Sequence, residues 1–229
     1  MSGLAAAALT AAACAVPASA QLAVEGALVS DYRVRGYSVS GGNPAAALSL
    51  SYDDASGIYL GATAIGSLDG GKPELSGFQA DAGYALRLGP GVSLDAGLSR
   101  SVYYYYASDG RRLAYTEAYL GLAVPHVSAR VSYSPGANRS AGSTLYAEID
   151  GGIEPAADWV LSAHAGAFRY LGARPNLLPR ERYDWRIGAA RKFGASALHI
   201  DLTGRAHGTR PAPRRGDSAG LVVSLTHGF

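Results

Sequence analysis

His126-Val127-Ser128 has the types and spacing of a reactive pair. A histidine beside a serine takes its proton and makes it a nucleophile for acyl transfer, provided that an acid or amide orients the imidazole. Ala129 stands where hydrolases of this spacing carry Asn. His126 and Ser128 share one parity of an alternating segment, the polar one, although a lipid would have to be reached from the apolar side. No enzyme activity is expected. His126, His164, His199, His207 and His227 are scattered without ligand spacing, so neither a metal site nor a cofactor is expected. Gly41-Gly42 and Gly70-Gly71 lack the strand-to-helix setting of a phosphate loop.

The remaining chemistry is charge, and it is distributed by parity. Nine acids (Glu25, Asp31, Asp81, Asp95, Glu117, Glu148, Asp150, Asp184, Asp201) and seven bases (Arg33, Arg35, Arg87, Arg130, Arg186, Lys192, Arg205), with His199, lie on one face of alternating segments. Leu22, Val24, Leu28, Tyr32 and Val34 occupy the opposite parity of the first segment, and Phe78, Ala80, Ala82, Tyr84 and Leu86 that of the fourth. A buried charge needs a partner or water. That face must therefore line either a hydrated channel or a lumen plugged by salt bridges, and the sequence leaves both open. Arg174, Arg180, Arg182, Arg210, Arg214 and Arg215 fall in two loops, where they suit lipopolysaccharide phosphates or anions at a pore mouth and suit solvent equally.

The elements that carry these residues are strands. Alternation predicts them over 22–35, 45–53, 57–66, 76–88, 91–105, 112–124, 126–134, 143–152, 158–170, 182–193, 195–206 and 217–229. Short turns around Ser56-Gly57, Pro90-Gly91, Pro125, Pro155 and Gly194 alternate with longer loops over 36–44, 67–75, 106–111, 135–142, 171–181 and 207–216. Bacterial outer-membrane barrels have this rhythm, with short turns in the periplasm and both termini there. Tyr52, Tyr59, Trp159, Phe193 and Phe229 fall near the short-turn end; Tyr37, Tyr103 to Tyr106, Tyr115, Tyr170 and Tyr183 fall near the other, as two aromatic girdles would. The last strand alternates from Ser218 to the terminal Phe229 with Val222 the single exception, and Phe229 is the expected insertion signal for the barrel assembly machinery.

At the front, the apolar stretch Leu4 to Val16 runs into Ala18-Ser19-Ala20, an A-x-A cleavage pattern, so residues 1–20 are expected to be a signal peptide and 21–229 one barrel domain. Cys14, the only cysteine, falls within that peptide. With 20 basic and 18 acidic residues the net charge is +2, a balance that argues against nucleic acid.

Ser30-Asp31-Tyr32-Arg33-Val34-Arg35-Gly36-Tyr37-Ser38, Pro44 and Ser56-Gly57-Ile58-Tyr59-Leu60-Gly61 resemble the opening of the Gcw-chp family of proteobacterial outer-membrane barrels. Tyr115 to Leu122, Val131-Ser132-Tyr133-Ser134-Pro135 and Tyr183 to Gly188 resemble its later strands. The resemblance implies fold and location rather than an activity. The expectation is thus an all-β, transmembrane, antiparallel up-and-down barrel of about twelve strands in a Gram-negative outer membrane, in contact with its lipids and lipopolysaccharide. A porin-like passive channel for small solutes is the expected function, with a non-conducting envelope protein as the alternative and a lipid hydrolase behind both.

Overall fold

The computed structural model describes residues 21–106, 111–136, 142–172, 179–207 and 219–229. Twelve strands form a closed antiparallel barrel in which each pairs with its neighbours in sequence order: β1 (Gln21–Val29), β4 (Ala45–Asp53), β5 (Ile58–Asp69), β6 (Lys72–Gly89), β7 (Val92–Tyr106), β8 (Arg111–Val124), β9 (Val127–Ser134), β10 (Thr144–Ala156), β11 (Trp159–Tyr170), β12 (Glu181–Phe193), β13 (Ser196–His207) and β14 (Ala219–Gly228). β14 closes on β1 through Glu25↔Gly228 to Val29↔Ser224. A two-stranded ribbon, β2 (Arg33–Val34) and β3 (Tyr37–Ser38), stands apart from the wall. The twelve wall strands agree with the alternation in the sequence.

The apolar parity faces outward along every strand. Leu28, Leu48, Leu98, Leu120, Ile187 and Leu221 are all exposed. So continuous an apolar surface has no stable contact with water, and hydrocarbon is the medium it fits. Arg100, Arg169 and Arg191 break this face without being isolated: Arg100 donates to Thr116 Oγ1 at 3.1 Å, Arg169 lies 3.7 Å from Glu181, and Arg191 sits 5.1 Å from the centre of the Phe193 ring and 5.7 Å from that of Trp159.

Three expectations need correction. The segment 67–75 is not a long loop: β5 runs on to Asp69 and β6 begins at Lys72, joined by Gly70 and Gly71 at φ 56° and 80°. Two consecutive left-handed residues are what a tight two-residue hairpin turn demands, and glycine supplies them without steric cost. The girdle at the long-loop end is mostly absent, because Tyr37, Tyr103, Tyr115 and Tyr170 are buried inside the barrel while Tyr183 is exposed outside. Tyr59, assigned to the other girdle, also points inward and bonds Asp95.

The third correction matters most. The first strand does not extend to residue 35. It leaves the wall at Ser30, whose N–H donates to the Val223 carbonyl at 2.9 Å while its Oγ accepts from Val223 N at 3.0 Å, and residues 31–40 turn into the barrel. Tyr32 and Val34, assigned by parity to the lipid face, and Val39, assigned to an external loop, join a buried cluster with Val29, Ala45, Ala47, Ile65, Tyr103, Tyr115 and Val222. Val222 is the residue that broke the alternation of the last strand. It is 8% exposed where its neighbour Leu221 is 64% exposed, so the apparent irregularity is an inward apolar contact for this segment.

Candidate functional site: the lumen and its inward segment

The inward segment is folded by its own side chains. Asp31 Oδ1 accepts from Ser38 Oγ at 2.6 Å and from Ser40 Oγ at 3.0 Å, and Asp31 Oδ2 accepts from Arg33 Nε at 2.6 Å. Ser40 Oγ accepts from Tyr32 N at 3.0 Å, and Ser38 Oγ from Gly42 N at 2.8 Å. The D-x-R-x-R-G-Y-S-x-S string is thus a self-bonded hairpin around one carboxylate, not a strand. Its tip carries Arg35 at φ 50°, a backbone region that non-glycine residues seldom occupy and that surrounding contacts must enforce. Those contacts are present. Both Arg35 Nη atoms donate to Glu117 on β8, at 2.9 and 2.7 Å, and the guanidinium lies 3.9 Å from the centre of the Tyr146 ring and 5.5 Å from that of Tyr115. A bidentate pair stacked on two aromatic faces is a strong, directional clamp.

Opposite the apolar anchor, β9 to β13 present charges in register. One row runs Ser128, Asp150, His164, Arg186, Thr203; the next runs Arg130, Glu148, Gly166, Asp184, Arg205; a third runs Ser132, Tyr146, Phe168, Arg182. Arg186 Nη2 lies 3.8 Å from Asp150 and its Nε 4.0 Å from Asp201. Arg205 and Arg182 lie 4.1 and 5.3 Å from the centre of the Tyr37 ring, and Arg182 is 4.0 Å from that of Phe168. A second network crosses from β5 to β9: Tyr59 donates to Asp95 at 2.9 Å and shares a 2.6 Å bond with Tyr119, while Arg130 reaches Asp95 at 3.0 Å. Toward the turn end, Lys192 donates to Glu154 at 2.8 Å and His199 lies 3.2 Å from Thr226 Oγ1.

Between segment and wall lies a cavity of about 680 Å³. It extends from Asp31, Arg33 and Arg35 to His126, Glu154 and Lys192 near the short turns. Arg130, Glu148, Asp150, Asp184, Arg186, His199 and Asp201 line it, as do Asp95 and Ser128. Glu25 and Asp81 are half-buried on inward parities, Glu117 is taken up by Arg35, and Arg87 is exposed near the turn end. Arg182 belongs inside the barrel rather than to an external loop, and Arg180 abuts β12. Arg174, Arg210, Arg214 and Arg215 lie outside the described residues. His126 sits in the β8–β9 turn at φ 67° and is exposed, while Ser128 opens into the lumen.

The sequence reading missed two groupings. Spacing of histidines says nothing about residues that meet across strands, yet Glu148, Asp150 and His164 place ligand atoms within 4.8 Å of one another. The clamp at Arg35 was missed because Asp31, Arg33 and Arg35 alternate as a strand would. Inward apolar positions such as Ala47, Ile65 and Val222, which a polar lumen does not call for, were the available signal.

A nearest-neighbour antiparallel barrel of twelve strands, apolar outside and charged within, is built as a porin is. Residues 12–213 match the family model described as bacterial protein of unknown function, Gcw_chp, and the chain belongs to that family. Among solved structures it is similar to the NanC porin in a rhombohedral crystal form, with a TM-score of 0.56 at 10% identity, covering 91% of this chain and 99% of that one. It is also similar to the KdgM porin in complex with disordered oligogalacturonate, with a TM-score of 0.54 at 12% identity and coverage of 91% and 99%. These likenesses bear on fold. No curated protein matches.

Proposed function

We propose that the chain is an outer-membrane channel for small polar solutes, in which residues 30–44 form the constriction and the charged faces of β9 to β13 line the passage. The observation that carries this reading is the cavity of about 680 Å³ walled by both signs of charge, which reaches the short-turn end of the barrel. Apolar outward faces support a bilayer setting, and the near balance of lumen charge supports weak ion preference. The two porin likenesses support a passive channel over an enzyme. In this reading residues 1–20 are removed near Ala20, the short turns face the periplasm, and Phe229 marks the last strand for assembly. The basic loop residues face lipopolysaccharide.

Planar-bilayer recording of the refolded chain tests the proposal: small, regular conductance steps are expected, and silence at every salt and voltage would end it. A closed lumen is the second reading, favoured by the Arg35–Glu117 clamp; it requires that silence. Deleting Phe229 is expected to lower the amount of folded barrel in outer membranes, read by heat-modifiable gel mobility.

A further inference from the structure

The charged wall contains one cluster that ion pairing leaves incomplete. His164 Nδ1 lies 2.9 Å from Asp150 Oδ1, and His164 Nε2 lies 2.9 Å from Asp184 Oδ1. Asp184 is itself fixed by the Tyr146 hydroxyl, which donates to its two oxygens at 3.1 and 3.2 Å. An imidazole that gives one N–H to a hydrogen-bonded carboxylate and turns its other nitrogen toward further oxygen ligands has the outer-shell support typical of a metal-binding histidine. The further oxygens are those of Asp150 and Glu148.

Glu148 is the independent pointer. It lines the cavity and has no hydrogen bond or ion pair among the described residues. The Arg35 guanidinium, whose charge acts on Glu148, is held by Glu117, and Arg186 lies 3.8 Å from Asp150. Three carboxylates thus surround one imidazole, an arrangement that a bound cation would stabilise. Gly166 stands between Glu148 and Asp184 in the register, and a Cβ there would overlap the Tyr146 hydroxyl and come within 2.7 Å of Asp184 Oδ2. The glycine is what allows the supporting pair to come so close beneath His164.

We infer that Glu148, Asp150 and His164 form a binding site for a first-row divalent cation of zinc's character, with Asp184 and Tyr146 as positioning residues. One imidazole nitrogen with carboxylate oxygens suits zinc, whereas magnesium and calcium take oxygen alone. The site needs ions to enter the lumen from one end and does not need conduction through it, so this inference and the channel proposal fail separately.

The test is calorimetric titration of the tag-free, refolded full chain with Zn²⁺, folding being verified by heat-modifiable gel mobility. Saturable binding of one equivalent is expected. Glu148→Gln and His164→Gln should each weaken it more than tenfold, Asp184→Asn about tenfold, and Glu154→Gln at the turn-end rim not at all. Co²⁺ bound to the wild type should show a visible absorption band of a nitrogen-containing site, a readout that needs no variant to fold. Absence of saturable Zn²⁺ binding by folded protein, binding unchanged in Glu148→Gln, or Mg²⁺ bound as tightly as Zn²⁺ would each overturn the inference.

Discussion

The two sides of the barrel interior solve different problems. On β1, β4, β5, β7, β8 and β14 aliphatic and aromatic inward residues at the loop end hold a folded-in segment by apolar burial. On β9 to β13 the inward residues are charged and in cross-strand register, and they leave a cavity. One side is a socket and the other is the lining of a cavity. The lesson is that an inner face need not be uniformly polar. Where it is apolar, some part of the chain must cover it, because exposed apolar area costs roughly 25 cal/mol per Å².

The sharpest way to break this contrast is to cut the charged clamp that holds the inward segment to β8. Glu117→Ala strands the Arg35 guanidinium in a buried position, and leaving a buried charge unpaired costs about 3–5 kcal/mol. The inward segment should detach in part, giving wider and noisier conductance steps than the wild type. If conductance and urea midpoint are both unchanged, the clamp does not hold the segment. Removing two methyl groups from the segment's apolar contact with the socket by Val39→Ala, a residue with 0% exposure, should lower stability by about 1.6 kcal/mol from transfer alone, read as a lower urea midpoint. The outward Val223→Ala on the lipid face serves as the contrast and should cost less.

On the charged side, Gly166→Ala forces the Tyr146 hydroxyl and Asp184 apart. Overpacking of this kind costs about 1–3 kcal/mol, read as a lower urea midpoint; because the Tyr146 ring also stacks on Arg35, protease resistance of residues 30–44 should fall as well, and wild-type values of both would deny the contact.

The smallest effect lies away from both sides, in the β4–β5 turn. Asp54 accepts hydrogen bonds from the Ser56 side chain and from Ser56 N, the latter at 2.8 Å, which hold its carboxyl below the ordinary 3.8. A depressed folded value means stability present above the unfolded value and lost as pH falls through the folded one. Urea midpoints of wild type and Asp54→Asn should therefore differ slightly at neutral pH and converge in acid; equal midpoints throughout would deny the turn that role.

Much of the wall was legible beforehand. Alternation marks β4, β9, β11 and β14 to within a few residues, because a strand with lipid on one side and charge on the other has period two by necessity. The inward segment was not legible, because Asp31, Arg33 and Arg35 continue the same alternation while serving a hairpin held by Ser38 and Ser40, residues beyond the apparent strand end. Nor was the cluster at His164, since Glu148, Asp150, His164 and Asp184 meet through register, which single-chain spacing does not encode. The exception at Val222 was visible and carried the missing information.

The most direct measurement is single-channel recording of the wild type beside a variant in which residues 31–43 are replaced by a two-residue Asn-Gly turn. The expected result is small steps from the wild type and steps several times larger from the variant, with both proteins equally folded by gel mobility. Equal conductance in the two would contradict an inward segment that narrows the lumen.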